Sequence, residues 1–177
     1  FCNFTNLEVT PQHYLCQNPH FVKSALARYS QWDFIALVAQ YGISYHEKEL
    51  GQLFCDEGAE QIVKLLETEC QKGNVEILLK QAVISVEKFA NGFEIQTACA
   101  RYQPPHLVVA TGGLSMPGLG ATSFGYKLAE QFGLNVVAPR ASLVPFTWKE
   151  SDKPFVNLSG IALPVSVSNQ GKTFSNQ

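Results

Sequence analysis

Hydrophobic and polar positions fall into blocks of helical period in the first half of the chain and into alternating or continuous apolar runs further on. Asn18-Pro19 reads as an N-cap followed by Pro at the first helical position, with Val22, Ala25, Leu26 and Tyr29 recurring behind it at helical spacing. Ser30-Gln-Trp-Asp33 has the form of a capping box with Asp in place of Glu. It predicts a break and a second helix from Gln31 to Tyr41, with Trp32, Ile35 and Val38 as its apolar stripe and Gly42 as a left-handed cap. Ile43 to Glu47 and Gln52 to Cys55 are expected to pair as a short hairpin around Glu49-Leu-Gly51. Asp56 is the expected cap of a third helix, Glu57 to Gln71, whose stripe of Ala59, Ile62, Val63, Leu66 and Cys70 faces a sheet. Gly73 stops that helix, and Val75 to Leu79 follows as an apolar strand, which argues for a parallel sheet.

The second half begins with two alternating runs, Ala82 to Phe89 and Gly92 to Ala98, joined at Asn91-Gly92, a strong hairpin signal. A small antiparallel layer is thereby inserted between two expected parallel strands, because Pro104-Pro105 then feeds an apolar strand from Leu107 to Ala110. That strand runs into Thr111-Gly112-Gly113 and a loop rich in Gly, Ser and Pro, and a helix starts near Thr122 or Ser123. Strand, glycine turn and helix start are how α/β proteins bring bare backbone up to a nucleotide-type ligand. The helix carries Tyr126, Leu128, Ala129 and Phe132 and ends at Gly133, and Leu134 to Val137 is expected as another strand. Beyond Pro139 the pattern becomes β: Leu143 to Trp148, Gly160 to Ser168, a turn at Asn169-Gln-Gly171, and Thr173 onward. The fold class is therefore α/β: a partial Rossmann-like domain over residues 1–140 with an inserted antiparallel meander, then the start of a β-rich domain over 141–177.

Composition narrows the chemistry. A chain of 177 residues that is 46% hydrophobic can bury a core. The net charge of −2 and the scattered Lys and Arg argue against a nucleic-acid or membrane-surface partner, and no apolar run approaches a bilayer span. No charged segment followed by an apolar one marks a secretory signal. Cys2, Cys16, Cys55, Cys70 and Cys99 are odd in number and lack a CxxC pair, the pattern of a reducing, cytoplasmic compartment. Cys55 and Cys70 are expected as small core hydrophobes. Phe1 and the single methionine, Met116, suggest a fragment of a longer protein, with a processed natural chain as the alternative.

No catalytic or metal site emerges: His13, His20, His46 and His106 are isolated, Ser115 has no assignable base, and Cys2 has no resolving partner in sequence. Gly118-Leu-Gly120 is a poor dinucleotide fingerprint, since Ser123 holds the place of the third glycine. Val108-Val-Ala-Thr-Gly-Gly113 is the better signal, a strand ending in Ala-Thr-Gly behind a meander; the bland reading is glycines needed only for a turn.

Cys2-Asn-Phe-Thr-Asn6, Gly51-Gln-Leu-Phe54, Ala110-Thr-Gly-Gly-Leu-Ser-Met-Pro117, Gly125-Tyr126 and Ala141-Ser-Leu-Val-Pro145 occur together in this order. In that combination the chain resembles the BaiN-like (YhiN-like) bacterial flavoproteins, NAD(P)/FAD-dependent oxidoreductases, over essentially its whole length. The resemblance implies a family member without its N-terminal GxGxxG unit, and Phe1 stands where many members have Arg. It implies FAD as cofactor, with Asn3 and Thr5 as flavin-proximal loop residues. Val83 matches a strand whose backbone pairs with adenine, and Ala110, Thr111, Gly112 and Gly113 match the turn that passes the flavin. Gly120 and Gly125 are weaker candidates at the helix start. The implied activity is hydride transfer, from NAD(P)H to a small organic substrate, with the flavin performing the chemistry. A flavin-binding regulatory role and an RNA-modifying flavoprotein are the alternatives. The isolated fragment is expected to be inactive and to associate with itself through exposed apolar surface.

Overall fold

The computed structural model describes residues 2–141, 149, 161 and 163–176. Its contacts divide the chain into a unit spanning Phe1–Val137 and another spanning Ala138–Gln177.

Within the first unit, β1 (Asn3–Asn6) lies on one side of an antiparallel sheet, although Asn-Phe-Thr-Asn has the composition of a turn. A register shift between Asn3 and Thr5 makes Phe4 a bulge. Its ring packs edge-on against Phe34 at 5.9 Å and Tyr45 at 5.4 Å. Asn6 ends the strand: its Nδ2 donates to the Leu50 carbonyl at 2.8 Å and its Oδ1 accepts the Glu8 N–H at 2.7 Å. Helix α1 (Lys23–Arg28) starts later than the Asn18-Pro19 pattern suggests. The Asn18 side chain instead accepts the His20 N–H at 3.0 Å and holds a turn ahead of the helix.

Helix α2 (Gln31–Gln40) begins at the expected capping box: the Ser30 N–H donates to Asp33 Oδ2 at 2.7 Å and Asp33 N–H to Ser30 Oγ at 3.4 Å. Val38 is fully buried, whereas Trp32 is 58% exposed and does not belong to the core stripe. The expected hairpin forms as β2 (Tyr45–Glu47) and β3 (Gln52–Cys55), and the sheet order is β1-β3-β2. Helix α3 (Glu60–Lys72) starts without Asp56 as its cap, because that carboxylate is taken by His46. Its buried face is centred on Leu65 and flanked by Ile62, while Val63 and Leu66 point outward, a rotation from the expected stripe. Val38, Ile43, Cys55 and Leu65 form the core of this layer, and Cys2 and Phe4 pack against it.

A second layer follows. The hairpin around Asn91 pairs β4 (Val83–Phe89) with β5 (Gly92–Thr97), and β6 (Arg101–Tyr102) pairs with the other side of β5, all antiparallel. Helix α4 (Phe124–Gln131) packs on this sheet. Gln131 Nε2 donates to the Val86 carbonyl at 2.6 Å, and Phe132 meets Phe93 edge-on at 6.0 Å. Val86, Thr97 and Leu128 are buried here. Thr97 Oγ1 accepts the N–H groups of Cys99 and Ala100 at 3.2 and 3.0 Å and so holds the turn between β5 and β6.

The three apolar runs expected as strands, two of them parallel, carry no strand structure: 75–79, 107–110 and 134–137 are irregular. Leu79 and Val108 are 77% and 85% exposed. Hairpin strands complete their hydrogen bonds with a neighbour a few residues away, whereas a parallel strand needs partners delivered by long crossovers.

In the second unit, β7 (Val165–Asn169) and β8 (Lys172–Asn176) form a hairpin turning at Gln170 and Gly171. The expected strand from Leu143 to Trp148, and the beginning of the one from Gly160 to Ser168, lie outside the described residues.

Candidate functional site

The stretch expected to face a ligand is built on α4. Gly125 sits in the first turn of that helix, and a Cβ there would lie 2.9 Å from Thr111 Oγ1 and 3.5 Å from Val109 Cγ1. A Cβ on Gly113 would lie 3.3 Å from the Tyr126 hydroxyl. The glycines thus let the 109–113 segment lie against the helix start, and four of the expected positions, Thr111, Gly112, Gly113 and Gly125, come together in space.

Ala110, Thr111 and Gly112 are exposed, and Gly112 holds a left-handed φ of 70°. A Cβ on Gly112 would meet nothing within 4 Å, so its bare backbone borders open space. A turn of this form, with exposed main chain anchored to a helix start, suits a flat cofactor approaching the backbone. Gly120 closes the 3₁₀ turn at Pro117–Leu119 in a left-handed conformation, its N–H donating to the Pro117 carbonyl at 3.0 Å. Ser123 precedes α4 without a side-chain cap; the Phe124 N–H is instead 3.3 Å from Thr122 Oγ1.

The other expected positions sit elsewhere. Val83 opens β4 opposite Thr97, in the sheet that carries α4. Asn3 and Thr5 belong to β1, opposite Phe54 and Leu53, in the first layer. β1 packs chiefly on β3 and α2, so Asn3 and Thr5 belong to the first layer and the other expected residues to the second.

Two polar arrangements were not legible in the sequence. His46 Nδ1 lies 2.6 Å from Asp56 Oδ1, and the imidazole stacks on Phe54 with Lys48 Nζ 4.3 Å from the Phe54 ring centroid. The pair joins the two ends of the β2–β3 hairpin, and only its register brings them together. Lys72 Nζ donates to the Tyr41 hydroxyl at 2.7 Å and to Glu69 at 3.0 Å, and Tyr41 donates to Glu69. The Tyr41 bond, then Lys72, holds the Glu69 carboxyl below the usual range; the same tyrosine, then Glu69, raises Lys72. This cluster ties the end of α2 to the end of α3. Among the described residues no group of His, Cys, Asp and Glu is arranged to hold a metal ion, and no helix is long and apolar enough to cross a membrane.

The meander and α4, with the exposed glycine turn lying against the first turn of that helix, form a mixed α/β arrangement. The chain belongs to the HI0933-like family, whose Rossmann-domain model matches residues 1–169. Membership of this flavoprotein family implies FAD as the bound nucleotide, and the open backbone at Gly112 is compatible with it. A Haemophilus influenzae protein named ribosomal RNA dihydrouridine synthase is 64% identical over 182 residues, covering 100% of this chain and 45% of that protein. An Escherichia coli protein of the same name is 56% identical over 176 residues, covering 97% of this chain and 43% of its own length. The chain therefore spans less than half the length of these curated relatives. The motif resemblance holds at the level of the flavoprotein family, while these relatives carry the dihydrouridine synthase name rather than BaiN.

Proposed function

We propose that the protein containing this chain is a flavin-dependent enzyme that reduces uridine in ribosomal RNA to dihydrouridine, with NAD(P)H as the hydride donor. The observation that carries this reading is the 64% and 56% identity, across essentially the whole chain, to two proteins with that name. In it Ala110, Thr111, Gly112 and Gly113 would border FAD, with Gly125 and Gly120 shaping the segment around them. Asn3, Thr5 and the Val83 backbone would complete the cofactor's surroundings. Bound FAD would supply the hydride chemistry, and the chain would orient it and shield it from water.

The RNA side draws support from residues 9–32, which contain no Asp or Glu. That stretch exposes Tyr14, Phe21, Tyr29 and Trp32 alongside Lys23 and Arg28. Exposed rings interleaved with cations are the surface on which unstacked bases and phosphates are held. An open cleft of about 400 Å³ lies there, lined in part by Tyr14, His20 and Lys23. The whole-chain charge of −2 argues against RNA only as an average; this stretch carries the opposite sign.

The test is to incubate the full-length protein and NAD(P)H with ribosomal RNA from cells lacking its gene. A uridine that gains two hydrogens by nucleotide mass analysis supports the reading. NAD(P)H oxidation with a small acceptor but unchanged RNA would replace it with the small-molecule oxidoreductase. Bound flavin with neither reaction would leave the regulatory alternative.

A further inference from the structure

Away from the glycine turn, strand pairing brings two thiols of the first layer opposite one another. The β1–β3 register places Asn3 opposite Phe54, and therefore Cys2 opposite Cys55. The Cys55 N–H donates to the Cys2 carbonyl at 3.0 Å, which continues the ladder to this pair. Directly opposed residues on antiparallel strands place their side chains on one face, with Cα atoms about 4.5–5.5 Å apart. That separation lies inside the roughly 4.4–6.8 Å range of disulfides. Both residues lie at the same apolar cluster, and both are free thiols. Cys2 is half-buried and reachable by a small reagent, whereas Cys55 is 6% exposed.

We propose that Cys2 and Cys55 form a redox-responsive thiol pair that closes to a cross-strand disulfide by exchange with a low-molecular-weight disulfide. The Cys2 thiolate attacks the small disulfide, forming a mixed disulfide and releasing one small thiolate. The Cys55 thiolate then attacks the Cys2 sulfur and expels the second. Each cysteine gives its proton to solvent or to a departing thiolate, and the two electrons reduce the small disulfide to two thiols. Burial, followed by the neighbouring Cys2 thiol, pushes the Cys55 thiol up to about 11. Closure therefore waits on Cys55 deprotonation and accelerates about tenfold per pH unit across the neutral to mildly alkaline range. The bridge would tie the start of β1, immediately before Asn3, to the central strand β3.

The experiment equilibrates the folded, full-length protein with oxidised glutathione, alkylates the remaining thiols and maps the peptides by mass. The expected product is a Cys2–Cys55 bridged peptide, lighter by two hydrogens and restored by dithiothreitol. In Cys55→Ala the glutathione adduct should persist on Cys2, and in Cys2→Ala the bridge should vanish. A wild-type protein in which Cys2 and Cys55 remain fully alkylatable, or in which either bridges to Cys16, Cys70 or Cys99, overturns the proposal. So does a closure rate that does not change with pH.

Discussion

The two layers of the first unit solve the same problem with different success. In the first, α2, α3 and a three-stranded sheet close on Val38, Ile43, Cys55 and Leu65, and two of these side chains are essentially inaccessible. In the second, Val86, Thr97 and the α4 residue Leu128 are buried, yet Val75, Ile77, Leu79, Val108 and Leu134 are exposed nearby in sequence. Antiparallel pairing between neighbours in sequence is satisfied in both. What differs is the continuous apolar runs of the second layer, whose composition suits strands covered on both faces. Composition determines that such a run seeks burial; only a partner strand determines that it finds it. The turn proposed to face flavin lies in that less complete layer, next to the apolar run at 107–109.

The comparison can be broken most severely at Gly92. A Cβ there would sit 2.4 Å from the Pro104 carbonyl oxygen, which accepts the Phe93 N–H at 2.9 Å. Gly92→Val should cost about 3 kcal/mol or more, since backbone has to move. Hydrogen exchange should show protection lost in β4–β6 and kept in β1–β3; equal loss in both would mean that the layers are one cooperative unit. Leu65→Ala is the converse, with an expected cost of about 2–5 kcal/mol for a cavity in the first core, read by denaturant unfolding. Ser30→Ala removes the hydroxyl half of the α2 capping box and should cost about 1 kcal/mol in the same assay.

A pH titration sharpens the contrast with a smaller effect. The Cys55 thiol is raised from its ordinary 9.0 to about 11, so its neutral form is favoured in the folded state. That contribution is fully present below pH 9 and is lost as pH rises through 11. Thermal midpoints should fall across this window in the wild type and less in Cys55→Ala; parallel curves would remove the thiol from the account.

Legibility in the sequence followed locality. The β2–β3 and β4–β5 hairpins and the capping box of α2 were readable because a few adjacent residues decide each of them. Asn18 and Asp56 resemble helix caps in sequence, but the Asn18 side-chain oxygen accepts the His20 N–H and the Asp56 carboxylate bonds His46. β1 was hidden behind turn-like composition, since pairing with β3 outweighs the preferences of Asn and Thr. At the candidate site, the glycine turn was legible, and so was the helix start. Its fit to that helix through Gly125 was not, because the sequence carries no record of the Thr111 contact. The Cys2–Cys55 juxtaposition, set by strand register over a long separation, had no local signal at all.

The central claim is that the turn at Gly112 borders the flavin, and flavin content tests it most directly. Visible absorption per protein should be measured for the full-length wild type and for Gly112→Val, whose positive φ a branched residue resists. The account predicts flavin bands in the wild type and about a tenfold lower content in the variant, equivalent to about 1.4 kcal/mol, with β4–β6 protection unchanged. Full flavin content in a folded Gly112→Val protein, or a wild type that stays colourless with added FAD, would contradict it.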